Sequence, residues 1–513
     1  MSARRWWRWV SVAGLLVAVV RATARLSRWP ATWFDEGMHL HVPKALVQAG
    51  VYADRSSEGF RYFGPTLGVG PTVLLPIAAS FAAFGVGLLQ ARVVMAVFLV
   101  AFVVLVYTFG RRLGGPVVGL LSAALVIATP APSVIEYGRQ VVGEVPAGMF
   151  LVWGLLLWRR AWQAPSWPGL IAAGVVLGLG TMTKHVVVLA LGPAMLIAWG
   201  LDRAYYRHHP SHVFVVPGLV CALMFVTWQV AVLGWIPPGG FFENWRLLRD
   251  TSSGAAFVFD PAITRASLIE LGGARAYVGL LIPALIYTGV RMLRRDPREQ
   301  WWGIVWWITA ANLAWFVVAS AGWGRYAFIG TALSSVLVAR LWRDGWRVAA
   351  RAGRDARAAR ALRVVFATGL AGAIGLPLAA TAWRITNAPP DHAGALAAWM
   401  NAHVPLDAIV ATWEPELGTL SDHRYHYPPS ALLIDAVAFK AGRGPAPIAK
   451  YAFRDVVTPD FVVSGAFGRW VGLYRERDLR ADFEPVHSQG AYVVWRRTIA
   501  PADTDTDSTR RTP

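Results

Sequence analysis

Asp35 and Glu36 stand side by side in the segment WFDEGMHLH, directly after the first apolar stretch of the chain. A carboxylate in such a place can take a proton from a substrate hydroxyl, and a neighbouring cation can stabilise a phosphate. Further ionisable or polar residues recur at the ends of later apolar stretches, namely Arg139, Glu144, Lys184, His185, Arg325 and Tyr326. Together they suit a charged substrate that carries a phosphate and a nucleophile to be deprotonated.

Each of these residues also has an ordinary structural interpretation. Glu144 could begin a helix, where a carboxylate complements the helix dipole, and Lys184 and Arg325 could be interfacial anchors. His39 and His41 could be plain loop residues. Ionisable groups near the ends of membrane spans are common, so the gathering of several at one face favours a site more than any one residue does.

The composition is that of a polytopic membrane protein. Of 513 residues 56% are hydrophobic and only 15% charged, and 26 are tryptophan, a residue enriched at membrane interfaces. The single cysteine, Cys221, excludes an internal disulfide. The net charge of +19 comes mostly from arginines that end apolar stretches. We therefore expect contacts with membrane lipids and no binding of nucleic acid.

A span needs about 20 apolar residues, which predicts an α-helical membrane domain over 1–383 with about eleven transmembrane helices. The predicted spans are 5–24, 92–110, 116–135, 143–159, 167–184, 186–201, 213–234, 276–293, 301–320, 326–341 and 364–383. The first span ends at Ala22-Thr23-Ala24, which also resembles a signal-peptide cleavage site, although most polytopic proteins keep this segment as an anchor.

The distribution of arginine predicts the topology. With eleven spans the arginine-rich connections all lie in the cytoplasm, as the positive-inside rule requires. We expect the membrane to be the cytoplasmic (inner) membrane. In this arrangement residues 71–90 are not a transmembrane span. They lie along the membrane or re-enter it, and Pro71 and Pro76 are expected to break their helix. The long outer loops are then 25–91 and 235–275.

A different composition begins near Arg384. A helix is predicted at 391–403, and short strands at 408–412, 461–465 and 491–495 are separated by Pro, Gly and Asp turns. These elements predict a small extracytoplasmic α/β domain over 384–498. The last residues, 499–513, are polar and predicted to be disordered.

Several motifs occur in a fixed order along the first 340 residues. They are WFDEG, RYFGP, FGVGLLQAR, RRLGG, YGRQVVGEVP, GLGTMTKH and GWGRYA. In this order they resemble the integral-membrane glycosyltransferases of the GT-C class, the branch of protein O-mannosyltransferases and lipid A aminoarabinose transferases.

The resemblance implies a polyprenyl-phosphate-linked sugar as donor and an active site at the outer surface of the membrane. Asp35 matches the acidic residue of the first outer loop, the candidate catalytic base. Glu144 falls where the class has its second acid, Lys184 in its T-K motif, and Arg325 where a basic residue opens a late span.

On chemical grounds no general acid is needed, because phosphate leaves as a stable anion. We expect Asp35 to act as base, Glu144 and Glu36 to assist, and a single displacement to invert the sugar carbon. The expected contacts of the donor phosphate are Lys184, Arg139, Arg325 and His185, and those of the rest of the substrate are Arg61, Tyr62 and Tyr326. The acceptor is a lipid, glycan or protein.

The motif around RYFGP departs from the aminoarabinose transferases. Those enzymes have an acidic, metal-contacting residue and a lysine after it, where this chain has Gly64 and Pro65. The sequence therefore predicts no metal site of that kind and no required cofactor, although a divalent metal ion remains open.

Two other classes of protein compete with the transferase. A proton-coupled secondary transporter also uses intramembrane acids and bases, but such transporters tend to show paired halves with broken helices, and no such pairing is found here. A structural or assembly subunit is the third alternative, and the acid pair in a long loop argues against it.

Overall fold

A computed structural model describes residues 3–61, 68–235, 240–273, 279–351, 356–440, 442 and 444–498. The chain forms two compact units, the first made of Met1–Asp54 and Arg61–Pro390, the second of Arg55–Phe60 and Asp391–Pro513. The predicted outer loops 25–91 and 235–275 are therefore described in part, and the tail 499–513 lies outside the described residues.

The first unit is helical. Its helices are α1 (Ala3–Thr23), α2 (Phe34–Ala49), α3 (Pro71–Phe84), α4 (Leu88–Gly114), α5 (Pro116–Ala128), α6 (Val134–Tyr137), α7 (Glu144–Gln163), α8 (Trp167–Thr183), α9 (Val187–Leu201), α10 (His212–Trp235), α11 (Phe241–Ala255), α12 (Pro261–Gly273), α13 (Leu281–Met292), α14 (Pro297–Ala319), α15 (Phe328–Arg351) and α16 (Ala356–Thr386). A 3₁₀ turn, Gly324–Ala327, precedes α15. Two short strands, β1 (Asp54–Ser56) and β2 (Gly59–Arg61), pair with each other, and residues 55–60 of this pair belong to the second unit.

Each of the eleven predicted spans overlaps one of these helices. The span 116–135 extends past α5, which ends at Ala128, and the first residues of the span 276–293 lie outside the described residues. By length and composition, five helices in the described part of the chain can cross a membrane: Leu88–Gly114, Val187–Tyr206, His212–Gly234, Pro297–Ala319 and Ala359–Thr386. Others, such as Trp167–Thr183, are apolar but shorter. The helical fold class is confirmed, and the count of eleven crossings stays a prediction.

The segment 71–90 differs from its prediction. Pro71 and Pro76 do not break the helix, because α3 begins at Pro71 and runs through Pro76 to Phe84. A proline at the first position of a helix costs no hydrogen bond, since that N–H has no partner inside the helix. The break comes instead at Gly85, whose φ of 84° is easily reached only by glycine.

The core of the first unit lies where α4, α5, α7 and α15 pack together. It includes fully buried side chains from each helix, such as Phe102, Leu125, Val145 and Val336. Small residues let the helices approach closely. A Cβ on Gly148 would lie 3.1 Å from Phe102.

The second unit contains a five-stranded sheet in the order β4-β3-β5-β7-β6. Its elements are α17 (His392–His403), β3 (Ile409–Thr412), α18 (Glu416–Leu420), β4 (Arg424–His426), α19 (Leu432–Lys440), β5 (Phe461–Ser464), α20 (Ala466–Val471), α21 (Glu476–Leu479), β6 (Phe483–Gln489) and β7 (Tyr492–Arg497). Strand β3 runs parallel to β4 and β5, whereas β7 is antiparallel to β5 and β6. The helix and the three strands predicted in this region are confirmed.

A buried acid follows β3 in this second unit. Glu414 is 2% exposed, and its carboxylate accepts hydrogen bonds from the backbone N–H of Gly468 at 2.8 Å and of Phe467 at 3.3 Å. Burial, and then the charge of nearby Glu416, raise the pKa of Glu414 to about 8. The folded unit therefore holds a proton there more tightly than the unfolded chain does.

This raised pKa makes the stability of the second unit depend on pH. The contribution is complete below about pH 4.5. It is lost progressively as pH rises through about 8, by about 1.4 kcal/mol per pH unit and about 5 kcal/mol in all. We expect Glu414→Gln to flatten this profile. Hydrogen exchange of β3 and β5 in the intact chain at pH 5 and 8 measures it, with exposed Glu484→Gln as the control. An equally flat profile in the unsubstituted protein would contradict the assignment.

Candidate active site

Four charged side chains meet inside the first unit. Asp35 lies in the first turn of α2, and Glu144 is the first residue of α7. Lys184 directly follows the last residue of α8, and Arg325 lies in the 3₁₀ turn before α15. The acid at the start of α7 and the lysine at the end of α8 both complement the dipoles of their helices.

The four side chains form a continuous series of ion pairs. The Arg325 guanidinium pairs with the Asp35 carboxylate, and its Nε lies 3.9 Å from Oε1 of Glu144. The same Oε1 is 3.0 Å from Nζ of Lys184. Two carboxylates and two cations thus balance in formal charge in a site where Asp35, Glu144 and Lys184 are buried. We call these four residues the charge cluster.

Aromatic rings hold Arg325 in place. Its guanidinium carbon lies 4.9 Å from the ring centre of Trp323 and 5.8 Å from those of Trp33 and Tyr326. A flat guanidinium stacks well on such faces, and the contact strengthens when water is excluded.

Two glycines allow the backbone around Lys184 to close on its neighbours. Gly70 donates its N–H to the Thr183 carbonyl, and a Cβ at Gly70 would lie 1.7 Å from the Met182 oxygen. A Cβ at Gly143 would lie 3.0 Å from the Lys184 side chain. Larger residues at these positions would push the lysine away from Glu144.

Glu36 lies next to Asp35 but has different partners. Both of its oxygens accept from Arg92, at 2.9 and 2.5 Å, and one also accepts from the Val141 N–H at 3.2 Å. Glu36 and Arg92 are both fully buried. This bidentate pair ties α2 to α4, and it favours a structural role for Glu36, which we leave out of the proposed mechanism.

Arg139 does not join the charge cluster. Its three donor groups bind the backbone carbonyls of Trp29 at 3.0 Å and of Arg21 and Ala24 at 2.5 Å. These carbonyls lie at and after the end of α1, where a cation is favourable. The geometry therefore favours a structural role, and the predicted contact with phosphate is not supported by it.

The remaining predicted residues lie around the charge cluster or away from it. Tyr326 is buried against Trp315 and Trp323, and His185 bonds to Gln229 at 2.9 Å. Arg61 pairs with Asp54 at 2.6 Å. Tyr62 lies outside the described residues. The roles given to these residues stay predictions.

Three further polar residues have buried partners that the sequence analysis did not predict. Arg92 lies in the apolar part of α4, away from Arg111 and Arg112 in the last turn of that helix, and an arginine in such a place is a recognisable signal of a buried partner. His39 contacts the Val141 carbonyl through Nδ1 at 2.6 Å, and burial, with Lys184 nearby, lowers its pKa to about 3. His41 bonds to Asp54 at 2.7 Å. Nothing in the local sequence marks these histidines as partners of distant residues.

No group of three or more His, Cys, Asp or Glu side chains among the described residues is arranged to hold a metal ion.

The arrangement of helices, with a small sheet unit after them, is the fold of the GT-C class of integral-membrane glycosyltransferases. ArnT from Cupriavidus metallidurans, bound to undecaprenyl phosphate, is one similar structure. It has a TM-score of 0.62 and 15% identity, and the alignment covers 96% of this chain and 98% of ArnT. The oligosaccharyltransferase AglB from Archaeoglobus fulgidus, in complex with an inhibitory peptide and a dolichol-phosphate, is a second. Its TM-score is 0.55 and its identity 14%, over 98% of this chain and 75% of AglB.

Sequence comparison gives a narrower match. Residues 69–230 match the dolichyl-phosphate-mannose-protein mannosyltransferase family. No curated protein matches the chain significantly. The predicted fold class and the resemblance to the GT-C class are confirmed, and with the family match they support the predicted enzyme class, a glycosyltransferase.

Proposed function

We propose that the chain transfers a sugar from a polyprenyl-phosphate donor to an acceptor hydroxyl at the outer face of the cytoplasmic membrane. The observation that supports the proposal is the charge cluster, in which the buried Asp35 carboxylate pairs with Arg325, a cation that can also bind a phosphate. The undecaprenyl phosphate in ArnT and the dolichol-phosphate in AglB support the choice of donor.

The ion pairs suggest an order of events. Without substrate, Arg325 neutralises Asp35, so that this carboxylate is a poor base. A donor phosphate bound near Lys184 competes for the Arg325 guanidinium, because phosphate offers arginine the same two-oxygen geometry as a carboxylate does. Asp35 is thereby freed, and the base becomes competent when the donor is in place.

The transfer itself balances without a further reactant. The acceptor oxygen forms a bond to C1 of the sugar as its proton moves to the Asp35 carboxylate. The bond from C1 to the phosphate oxygen breaks, and its electron pair leaves with the phosphate. Arg325 and Lys184 stabilise the second negative charge that develops there. Attack opposite the leaving phosphate inverts C1, and Glu144 orients Lys184 and Arg325.

An apolar cavity of about 450 Å³ offers a place for the prenyl chain. It lies among α8, α9 and α10 and is lined by residues such as Thr181, Leu191, Met195 and Phe225. Thr181, one of its lining residues, is three residues before Lys184 in the sequence. A long hydrocarbon chain can fill the cavity without breaking a polar contact.

A labelled donor tests the proposal. The purified chain in lipid nanodiscs is given a polyprenyl-phosphate sugar labelled in the sugar, with and without a cell-envelope extract as acceptor. We expect free polyprenyl phosphate and labelled acceptor to appear together. A secondary transporter would move the labelled lipid or sugar across a vesicle membrane without releasing the phosphate, and that result would reject the transferase.

A further inference from the structure

A side chain from another helix binds two backbone groups at the start of α15, one in the preceding turn and one in its first turn. Asn312, in the middle of α14, is fully buried. Its Oδ1 accepts from the N–H of Gly330 at 2.7 Å, and its Nδ2 donates to the carbonyl of Tyr326 at 3.1 Å. In an uninterrupted α-helix that N–H and that carbonyl would bond to each other, because they are four residues apart.

We propose that Asn312 is a positioning residue for Arg325, and that its amide replaces this helical hydrogen bond so that the turn before α15 presents the guanidinium to Asp35. The proposal rests on the proposed function for its effect on catalysis, but not for its geometry. A side chain inserted into the helical ladder is a recognised cause of a change in helix direction.

The location of the insertion supports this role. The chain changes from the 3₁₀ turn Gly324–Ala327 to the α-helix Phe328–Arg351 between the two bonded groups. Arg325 lies within that turn, next to the residue whose carbonyl Asn312 binds. If the turn became part of the helix, the Arg325 side chain would point in another direction, since successive helical residues are about 100° apart.

The partner position also fits the Asn312 amide. A Cβ on Gly330 would lie 2.9 Å from Oδ1 of Asn312 and 2.7 Å from Cγ of Leu313. Glycine is otherwise unfavourable inside a helix, by about 1 kcal/mol relative to alanine. The close approach of the amide gives a physical reason for glycine at this place.

Substitution of Asn312 by leucine keeps much of its volume but removes both hydrogen bonds. The Tyr326 carbonyl and the Gly330 N–H must then find a partner, because buried backbone groups rarely stay unpaired. We expect them to bond to each other, which extends the helix and moves Arg325 away from Asp35. A misplacement of about 1 Å can cost roughly 10²-fold in rate.

A double-mutant cycle measures the coupling in the labelled-donor assay. We expect Asn312→Leu to lower kcat/KM for the donor by about 10²-fold. Arg325→Gln should lower it by about 10²–10³-fold, and the double variant by no more than Arg325→Gln alone. If the loss in the double variant were the product of the two single losses, the residues would act independently and the proposal would be overturned. Thr309→Val is the matched control, because Thr309 is a buried residue of α14 whose hydroxyl has no hydrogen-bond partner in the described part of the chain.

Gly330→Ala disturbs the same contact from the other side. Its Cβ should displace the Asn312 amide and reduce transfer. The contact with Leu313 should also lower stability by about 1–3 kcal/mol, so the thermal midpoint of this variant is measured beside its activity. If Asn312→Leu fails to fold, this variant decides, and full transfer activity in a folded Gly330→Ala protein would overturn the proposal.

A cross-linking experiment tests the geometry without any activity. In a Cys221→Ala background, cysteines at positions 35 and 325 are treated with dibromobimane, which becomes fluorescent when it bridges two thiols. We expect Asn312→Leu to lower the yield several-fold and Thr309→Val to leave it unchanged. Equal yields would overturn the proposal, even if the chain proved not to be a transferase. If no sugar transfer were detected but Asn312→Leu still lowered the cross-linking yield, the proposed function would be rejected and the role of Asn312 would stand.

Discussion

Replacement of Asp35 by asparagine should lower kcat for sugar transfer by about 10²–10⁴-fold, the usual contribution of a general base. Asparagine has nearly the same shape, but it cannot take the proton of the acceptor hydroxyl. Because Arg325 and Lys184 remain to bind the phosphate, and the neutral side chain no longer competes for Arg325, the KM for the donor should stay the same or fall. Initial rates of polyprenyl phosphate release, at varied donor and saturating acceptor, measure both quantities.

A second aspartate provides the matched control. Asp296 caps the N-terminus of α14 by accepting from the Arg298 N–H at 2.8 Å, far from the charge cluster along that helix. Asparagine caps helices about as well as aspartate does, so Asp296→Asn should transfer at the unsubstituted rate. An Asp35→Asn protein that folds and transfers at that same rate would remove Asp35 from the mechanism.

The loss of Arg92 should destabilise the first unit by about 3–5 kcal/mol, because Arg92→Met leaves the buried Glu36 carboxylate without its cation. The expected result is a large fall in the thermal midpoint of the detergent-solubilised protein. Removing both charges should cost less, since no unpaired ion remains, and Glu36→Gln/Arg92→Gln should therefore be more stable than Arg92→Met.

Exposed Arg249, which forms an ion pair with neighbouring Asp250, is the control for loss of an arginine. Arg249→Met should change the midpoint little, as exposed ion pairs contribute about 0–1 kcal/mol. If Arg92→Met melts together with Arg249→Met and the unsubstituted chain, the bidentate pair does not hold α2 against α4.

The helices that overlap the eleven predicted spans could be predicted from the sequence because each is an apolar stretch, a signal that needs no knowledge of the other helices. The same is true of β3, β5 and β7, which are runs of β-branched residues between turns. Helices α2, α11 and α12 were missed, because they carry charged or polar residues and lie in the predicted loops. Strands β4 and β6 were missed, since RYH and FEPVHSQ carry polar residues and a proline that hide a strand.

The site was only partly predictable for a related reason. Asp35, Glu144, Lys184 and Arg325 were identified because each lies at the end of an apolar stretch, and such ends gather at one level of a bundle. Which acid pairs with which cation depends on helix rotation and on close contacts such as that of Gly70, which a single sequence does not encode locally. Glu36 and Arg139 therefore looked equivalent to Asp35 and Lys184.

The division of the chain into two units has a practical consequence for anyone who wishes to produce them separately. Residues 55–60 belong with the C-terminal unit, where Glu58 pairs with His426, and the Ser56 hydroxyl accepts from the Tyr427 N–H. If the chain were truncated after Pro390, residues 55–60 would lose these partners. A fragment that begins at Asp391 would in turn lack residues 55–60. To produce the first unit alone, residues 55–60 would have to be replaced by a short linker. To produce the second unit alone, they would have to be fused to residues 391–498, because a single cut does not separate the two units.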